Sequence, residues 1–273
     1  MDDRLLLPST SAACVFLMDP SRRNILLNQF SRPTLKVQSV LNRANDTAII
    51  QSNGANQPIW SGNLIQGTYS WMNNPGSKSS LPCGQPGLSF LAASTQYMAY
   101  NSIASFANSE ANVTAVAVVN FATGNTGTIF GFGATGSATP KLTLSVSGGT
   151  LSLVESNGST FTASHSVTNG VHVVTAARAN NNLVIRIDSA QVATATVTGA
   201  AETFNTFTVG AINSNGSVGT YLTSSLGPVA VYKGPVNGTG ITNGLADVFQ
   251  VETYLLQRYG VIRGASSGIN AGF

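Results

Sequence analysis

The sequence predicts an all-β protein, an antiparallel sandwich closed by one amphipathic helix near the C-terminus. Three observations carry this. Short runs rich in Val, Thr, Leu and Phe recur through the middle of the 273-residue chain, separated by Gly and Asn turns. Several runs alternate apolar with polar side chains, the period of a strand with one buried face. Only residues 245–259 change to a helical period, with Gly260 as a stop. The length suits one large β domain, here residues 12–263, between an N-terminal arm (1–11) and a C-terminal tail (264–273) of small residues.

In chain order, the arm carries Leu5, Leu6 and Leu7, then Pro8, which stops regular structure. These four residues are the expected contact with a partner chain. Residues 13–71 are irregular, with strand-like runs at 14–18 and 36–41. Trp60, Tyr69 and Trp71 lie close together there, either filling gaps between sheets or forming a sugar-stacking surface. Residues 73–87, dense in Pro, Gly and Ser, read as a surface loop. Strands are expected at 113–121, 128–132, 142–146, 151–155, 171–178, 183–188, 192–197, 204–210 and 228–232. Gly148-Gly149 makes a hairpin of 142–155, because a tight turn needs positive φ. In the helix, Phe249, Leu255 and Tyr259 are expected core residues covering an open edge or end of a sheet.

Composition excludes several functions. Only 8% of residues are charged, the formal charge is +3, and no basic run exceeds Arg22-Arg23, so a phosphate-binding groove is not expected. Cys14 and Cys83 lack metal-ligand spacing; they read as two buried thiols, with one long-range disulfide as the alternative. The amino terminus opens with two acids, and Pro8 to Ser11 interrupt its apolar stretch, so neither a signal peptide nor a membrane span is expected. Synthesis in the cytoplasm follows as an expectation.

Four stretches carry a family resemblance: LNRANDTAIIQSNGANQPIW (41–60), QPGLSFLAASTQYMAY (85–100), VTAVAVVNF (113–121), and LGPVAVYKG (226–234) followed by VETYLLQRYGV (251–261). In their order and spacing the chain resembles the concanavalin A-like lectin/glucanase superfamily, in the laminin G-like branch found in phage virion proteins. The resemblance implies a jelly-roll sandwich and glycan recognition by loop aromatics and amides. It makes Trp60, Trp71, Tyr97 and Tyr100 the glycan-stacking candidates. It also raises structural calcium, with Asp46 or Asp188 as ligands, against which the scarcity of acids weighs.

No catalytic residue is expected. Glycoside hydrolysis needs two carboxylates flanking one bond, and no two of the ten acids sit at i, i+2 in a strand. His165 and His172 lack a third metal ligand and read as exposed polar residues, although a cross-strand pair is geometrically open to them. No G-x-S-x-G elbow is present for a Ser-His-Asp triad. The GFGATG run (131–136) reads as loop glycines, since neither a helix nor Lys-Ser/Thr follows it. The resulting expectation is a phage virion structural protein, a capsid decoration or fibre-like adhesin, which binds neither cofactor, nucleic acid nor membrane. Its expected partners are a major capsid or tail protein, other copies of itself and a host-surface glycan. A free lectin module is the alternative, and a glycoside hydrolase the weaker one.

Overall fold

The computed structural model describes residues 14–20, 25–27, 36–44, 46–61, 81, 85–100, 112–134, 136–137, 139, 141–199, 203–233 and 248–261. The arm residues Leu5 to Pro8, Trp71, Cys83 and the tail lie outside them.

Among the described residues nineteen strands precede one helix. They are β1 (Cys14–Met18), β2 (Ile25–Leu27), β3 (Val37–Asn42), β4 (Thr47–Ile50), β5 (Ile59–Ser61), β6 (Gly87–Phe90), β7 (Met98–Tyr100), β8 (Asn112–Phe121), β9 (Thr126–Gly133) and β10 (Leu142–Ser147). There follow β11 (Thr150–Ser156), β12 (Thr160–Ser166), β13 (Gly170–Ala179), β14 (Asn182–Ile187), β15 (Ala190–Thr196), β16 (Thr206–Val209), β17 (Ile212–Ser214), β18 (Ser217–Gly219), β19 (Ser224–Lys233) and helix α1 (Val248–Arg258). Seventeen strands form one antiparallel hydrogen-bonded sheet that folds over on itself. One layer runs β1-β19-β8-β13-β14-β15. The other runs β12-β11-β10-β9-β16-β7-β4-β3-β2. The layers join where Met18 of β1 pairs with Asn42 of β3. The fold is thus the expected antiparallel sandwich.

All nine expected central strands are present, within a few residues of their expected limits. Gly148 and Gly149, at φ 56 and 78, turn β10 into β11 as expected. Pro228 sits inside β19, where the register shifts between Leu226 and Val229. A bulge there accommodates the residue that cannot donate to the ladder.

Two cores flank the first layer. Between the layers, Phe16, Leu88, Phe130, Phe132, Leu153, Ile185 and Phe207 are packed with little or no exposure. On the outer face of the first layer a second core joins Val116, Val118, Val173, Ala177 and Tyr232 to Val251, Leu255, Leu256 and Tyr259 of the helix segment. The helix therefore lies across a sheet face, which corrects the expectation that it covers an edge or end. That is why β8 is buried on both sides and reads as a continuous apolar run.

The helix is pinned by buried charge. Arg186 donates from Nε to Glu252 Oε1 (2.9 Å) and from Nη2 to Oε2 (3.1 Å), and Thr175 Oγ1 donates to the same carboxylate (2.7 Å). The Arg186 guanidinium also lies 4.5 Å over the Phe249 ring. At its far end, Gly260 N–H donates to Gln257 O and Val261 N–H to Leu256 O. With Gly260 at φ 62 these bonds close a Schellman cap. Gly227 supplies the close approach: a Cβ there would meet Val118 Cβ at 2.9 Å and the Tyr259 ring at 3.1 Å.

Candidate functional site

At one end of the sandwich three short segments converge. In the first, the Asn53 side chain accepts the Ala55 N–H and opens a 3-10 turn over Gly54–Asn56, while Gln57 Nε2 donates to Gln51 O. Lys36 Nζ closes the turn by donating to Gly54 O (2.7 Å). The second is a turn over Ala92–Ser94, in which Gln96 Oε1 accepts the Leu91 N–H. The two are stitched together: Thr95 Oγ1 donates to Asn56 Oδ1 (2.9 Å), Tyr97 N–H donates to Asn56 O (3.1 Å), and Gln51 Nε2 donates to Tyr97 O (3.3 Å). The Asn and Gln of this stretch are fasteners, largely spent on backbone groups.

The third segment is the β17–β18 hairpin and residues 220–223 after it. The hairpin lies on the outer face of β9, and glycine is what lets it do so. A Cβ at Gly131 would collide with Ile212 Cδ1, and one at Gly133 with Asn213 O. These residues belong to β9, which corrects their reading as loop glycines: they are strand positions where another segment approaches closely. Thr220 O accepts the Thr128 N–H (2.9 Å), and Tyr221 OH donates to Val218 O (2.7 Å).

This convergence places Tyr97 beside Tyr221, both half-buried, with ring centroids 6.2 Å apart and planes tilted by 43°. Backbone strain sits at the same place. Thr95 and Thr220, at φ 48 and 51, are β-branched residues in the left-handed region, where such side chains are outliers. Leu91 and Ile50 nearby are 47% and 50% exposed, two of three large apolar side chains so open among the described residues. Ile50 pairs with Ala99 of β7, two residues after Tyr97, so by alternation both Ile50 and Tyr97 lie on the outer face of the layer.

The other aromatic candidates stand elsewhere. Trp60 is 3% exposed, and its indole N–H donates to Pro20 O (2.9 Å). Tyr100 is 1% exposed, edge-on to Phe16 at 5.4 Å, with its hydroxyl 3.2 Å from Thr47 Oγ1. Both fill the core between the layers, so as stacking candidates they are corrected. Tyr221 was missed because its partner Tyr97 is 124 positions away, and only a hairpin folded over β9 brings the two together. The glycines at 127, 131 and 133 were the available signal.

At the same end, Thr168 Oγ1 lies 3.2 Å from His172 Nε2, and His172 Nδ1 lies 2.7 Å from Asp188 Oδ2. A hydroxyl, an imidazole and a carboxylate in this order resemble a hydrolase relay. Here the carboxylate has a structural use: Asp188 and Ser189 form the β14–β15 turn at φ 51 and 70, and Asp188 Oδ1 accepts the Val173 N–H (2.9 Å). Asp188 is therefore engaged by its own turn and by His172. Asp46 stands exposed in a turn, and among the described residues no three His, Cys, Asp or Glu cluster as metal ligands. His165 is on β12, which pairs with β11, while His172 is on β13, which pairs with β8 and β14; a cross-strand histidine pair does not form.

The buried acids, and half-buried Asp188 with them, tell the same story. Asp19, Glu155, Asp188 and Glu252 are bound to Arg258, Arg178, His172 and Arg186 respectively. The Arg178–Glu155 pair, 2.6 Å apart and 3% exposed at each side chain, holds the two layers together. These carboxylates serve the fold. The sequence hint was an arginine within each of two apolar strands, β13 and β14.

The geometry defines a β-sandwich with an aromatic rim at one end. No protein-family model matches the chain, and no curated protein matches it in sequence. Among solved structures it resembles a crystal structure of HCR/D-Sa-GBL1/C, with 12% identity, a TM-score of 0.51, and coverage of 91% of this chain and 53% of that one. It also resembles the binding domain of botulinum neurotoxin DC in complex with SialylT (9% identity, TM-score 0.48, 92% of this chain and 52% of that one). A third is a NanB sialidase mutant from Streptococcus pneumoniae (11% identity, TM-score 0.47, 56% and 26%). This chain spans between about a quarter and about half of those structures. At such identities the likeness is one of fold.

Proposed function

We propose that the protein is a non-enzymatic adhesion module whose Tyr97–Tyr221 rim binds a neutral, hydroxyl-rich glycan. The observation that carries this is the half-exposed tyrosine pair, held by two strained threonines from separate segments. A sugar ring offers an apolar C–H face for an aromatic platform, and hydroxyls for the amides and hydroxyls around it. The use of the buried acids as ion-pair partners supports the non-enzymatic reading.

In this proposal the module belongs to a phage virion, as a capsid decoration or fibre-like adhesin, made in the host cytoplasm. It is anchored to a major capsid or tail protein through Leu5, Leu6, Leu7 and Pro8. The very low charge content and the lectin-like sandwich support that placement. Two experiments test the reading. A glycan panel should give binding that Tyr97→Ala and Tyr221→Ala remove, and no reducing ends should be released from polysaccharides. The full-length protein should co-sediment with particles, and removal of residues 1–11 should end this. A panel without hits refutes the glycan part, and particle association that survives the truncation refutes the anchoring part.

A further inference from the structure

We propose that β12 is an interface between copies of this chain, two β12 strands pairing antiparallel across a two-fold axis. On one side of the sandwich both layers end in an edge strand: among the described residues β15 pairs only with β14, and β12 only with β11. An edge strand presents a row of unpaired N–H and C=O groups, and proteins that must remain monomeric guard it with charge, proline, a bulge or a cover. β15 has such a guard, because its register with β14 shifts between Ile185 and Arg186.

β12 has no charge, proline or bulge, and although β15 of the other layer lies close to it, the two strands are not paired. Its seven residues, TFTASHS, contain no Lys, Arg, Asp, Glu or Pro, and its pairing with β11 runs unbroken from Thr150↔Ser166 to Ser156↔Thr160. Thr160, Thr162, Ser164, His165 and Ser166 are all exposed. The strand is also self-complementary. With the two-fold at Ala163, Thr162 faces Ser164 of the other copy and Phe161 faces His165, so hydroxyl meets hydroxyl and no acid or Lys/Arg meets its like. A flat strand of small hydroxylated residues on a chain with 8% charge meets little repulsion on approach. The second copy supplies the one partner certain to match this strand in length and register.

One seven-residue strand pair covers less than the roughly 1,200–2,000 Å² of a standard stable interface, so the free pairing is weak and gains most where many copies are displayed together. The proposal is independent of glycan binding, because β12 belongs to neither turn nor hairpin of the tyrosine rim.

Sedimentation of the full-length protein across a wide concentration range tests it. The wild type should show a reversible monomer–dimer equilibrium, and the amides of 160–166 should gain hydrogen-exchange protection as concentration rises. Thr162→Lys, a change on the exposed face of the strand, should weaken dimerisation at least tenfold, about 1.4 kcal/mol, with an unaltered thermal unfolding curve. Ser164→Pro should do the same by removing a backbone donor, and Thr194→Lys on β15 should leave the equilibrium unchanged. A wild type that stays monomeric at all concentrations overturns the proposal. So does a dimer that Thr162→Lys leaves intact or that Thr194→Lys disrupts equally.

Discussion

Removing the Glu252 carboxylate tests how the helix is held. Glu252 is fully buried, and its two oxygens accept hydrogen bonds from Arg186 and Thr175 at 2.7–3.1 Å. In Glu252→Ala, Arg186, 4% exposed, keeps its charge and loses its counter-ion, and the Thr175 hydroxyl loses its acceptor. Breaking a buried pair from one side costs about 3–5 kcal/mol, a large part of the stability of a typical domain. Replacing both members by apolar residues of similar volume removes the stranded charge. Glu252→Leu with Arg186→Met should therefore recover most of the loss. Urea unfolding of the three proteins measures this. The single variant should show a lower midpoint, with tryptic cleavage moving to the region of the undocked helix. A cost for Glu252→Ala below about 1 kcal/mol, or a double variant worse than the single, would refute the view that a desolvated ion pair fixes the helix on the sheet.

Three further outcomes follow from the packing. Gly227→Val should destabilise by about 1–3 kcal/mol in thermal unfolding, because the new side chain must displace Val118 or Tyr259. Thr220→Asn, at an exposed position and better suited to the left-handed region, should raise stability by about 1 kcal/mol in denaturant unfolding; an unchanged midpoint would mean that Thr220 is not strained. Burial pushes the Cys14 thiol up to about 12 from its usual 9.0. The folded chain thus keeps this proton where the unfolded chain has released it, so the thiol's contribution to stability is complete below pH 9 and declines from pH 9 to 12. In native protein Cys14 should accordingly resist thiol reagents at pH 8 and react only on unfolding.

Much of the fold was legible in the sequence because its signals are local. Alternation at Leu142, Leu144 and Val146, paired glycines at 148–149 and the helical stripe ending at Gly260 each state their own conformation. β12 escaped because TFTASHS has too few apolar residues to show a buried face, and the β17–β18 hairpin because its strands have three residues each. The helix was correctly placed in sequence but wrongly placed in space. Its docking on a sheet face depends on Arg186 and Glu252, 66 positions apart, and alternation along 183–188 puts Arg186 opposite Leu183 and Ile185 without showing what covers that face. The site was less legible for the same reason. Tyr97 was recognisable as an aromatic beside amides, but the hairpin that delivers Tyr221 is positioned by what three glycines lack. Trp60 stood out by type, yet its environment is core.

The most direct measurement of the central claim is calorimetric titration of the strongest panel glycan into the wild type, Tyr97→Ala and Tyr221→Ala, with Trp60→Phe as a core control. The account predicts at least a tenfold loss of affinity for each tyrosine variant, about 1.4 kcal/mol, with folding intact, and little change for Trp60→Phe. Binding that survives the loss of both tyrosines would contradict it and move the contact to another surface of the sandwich.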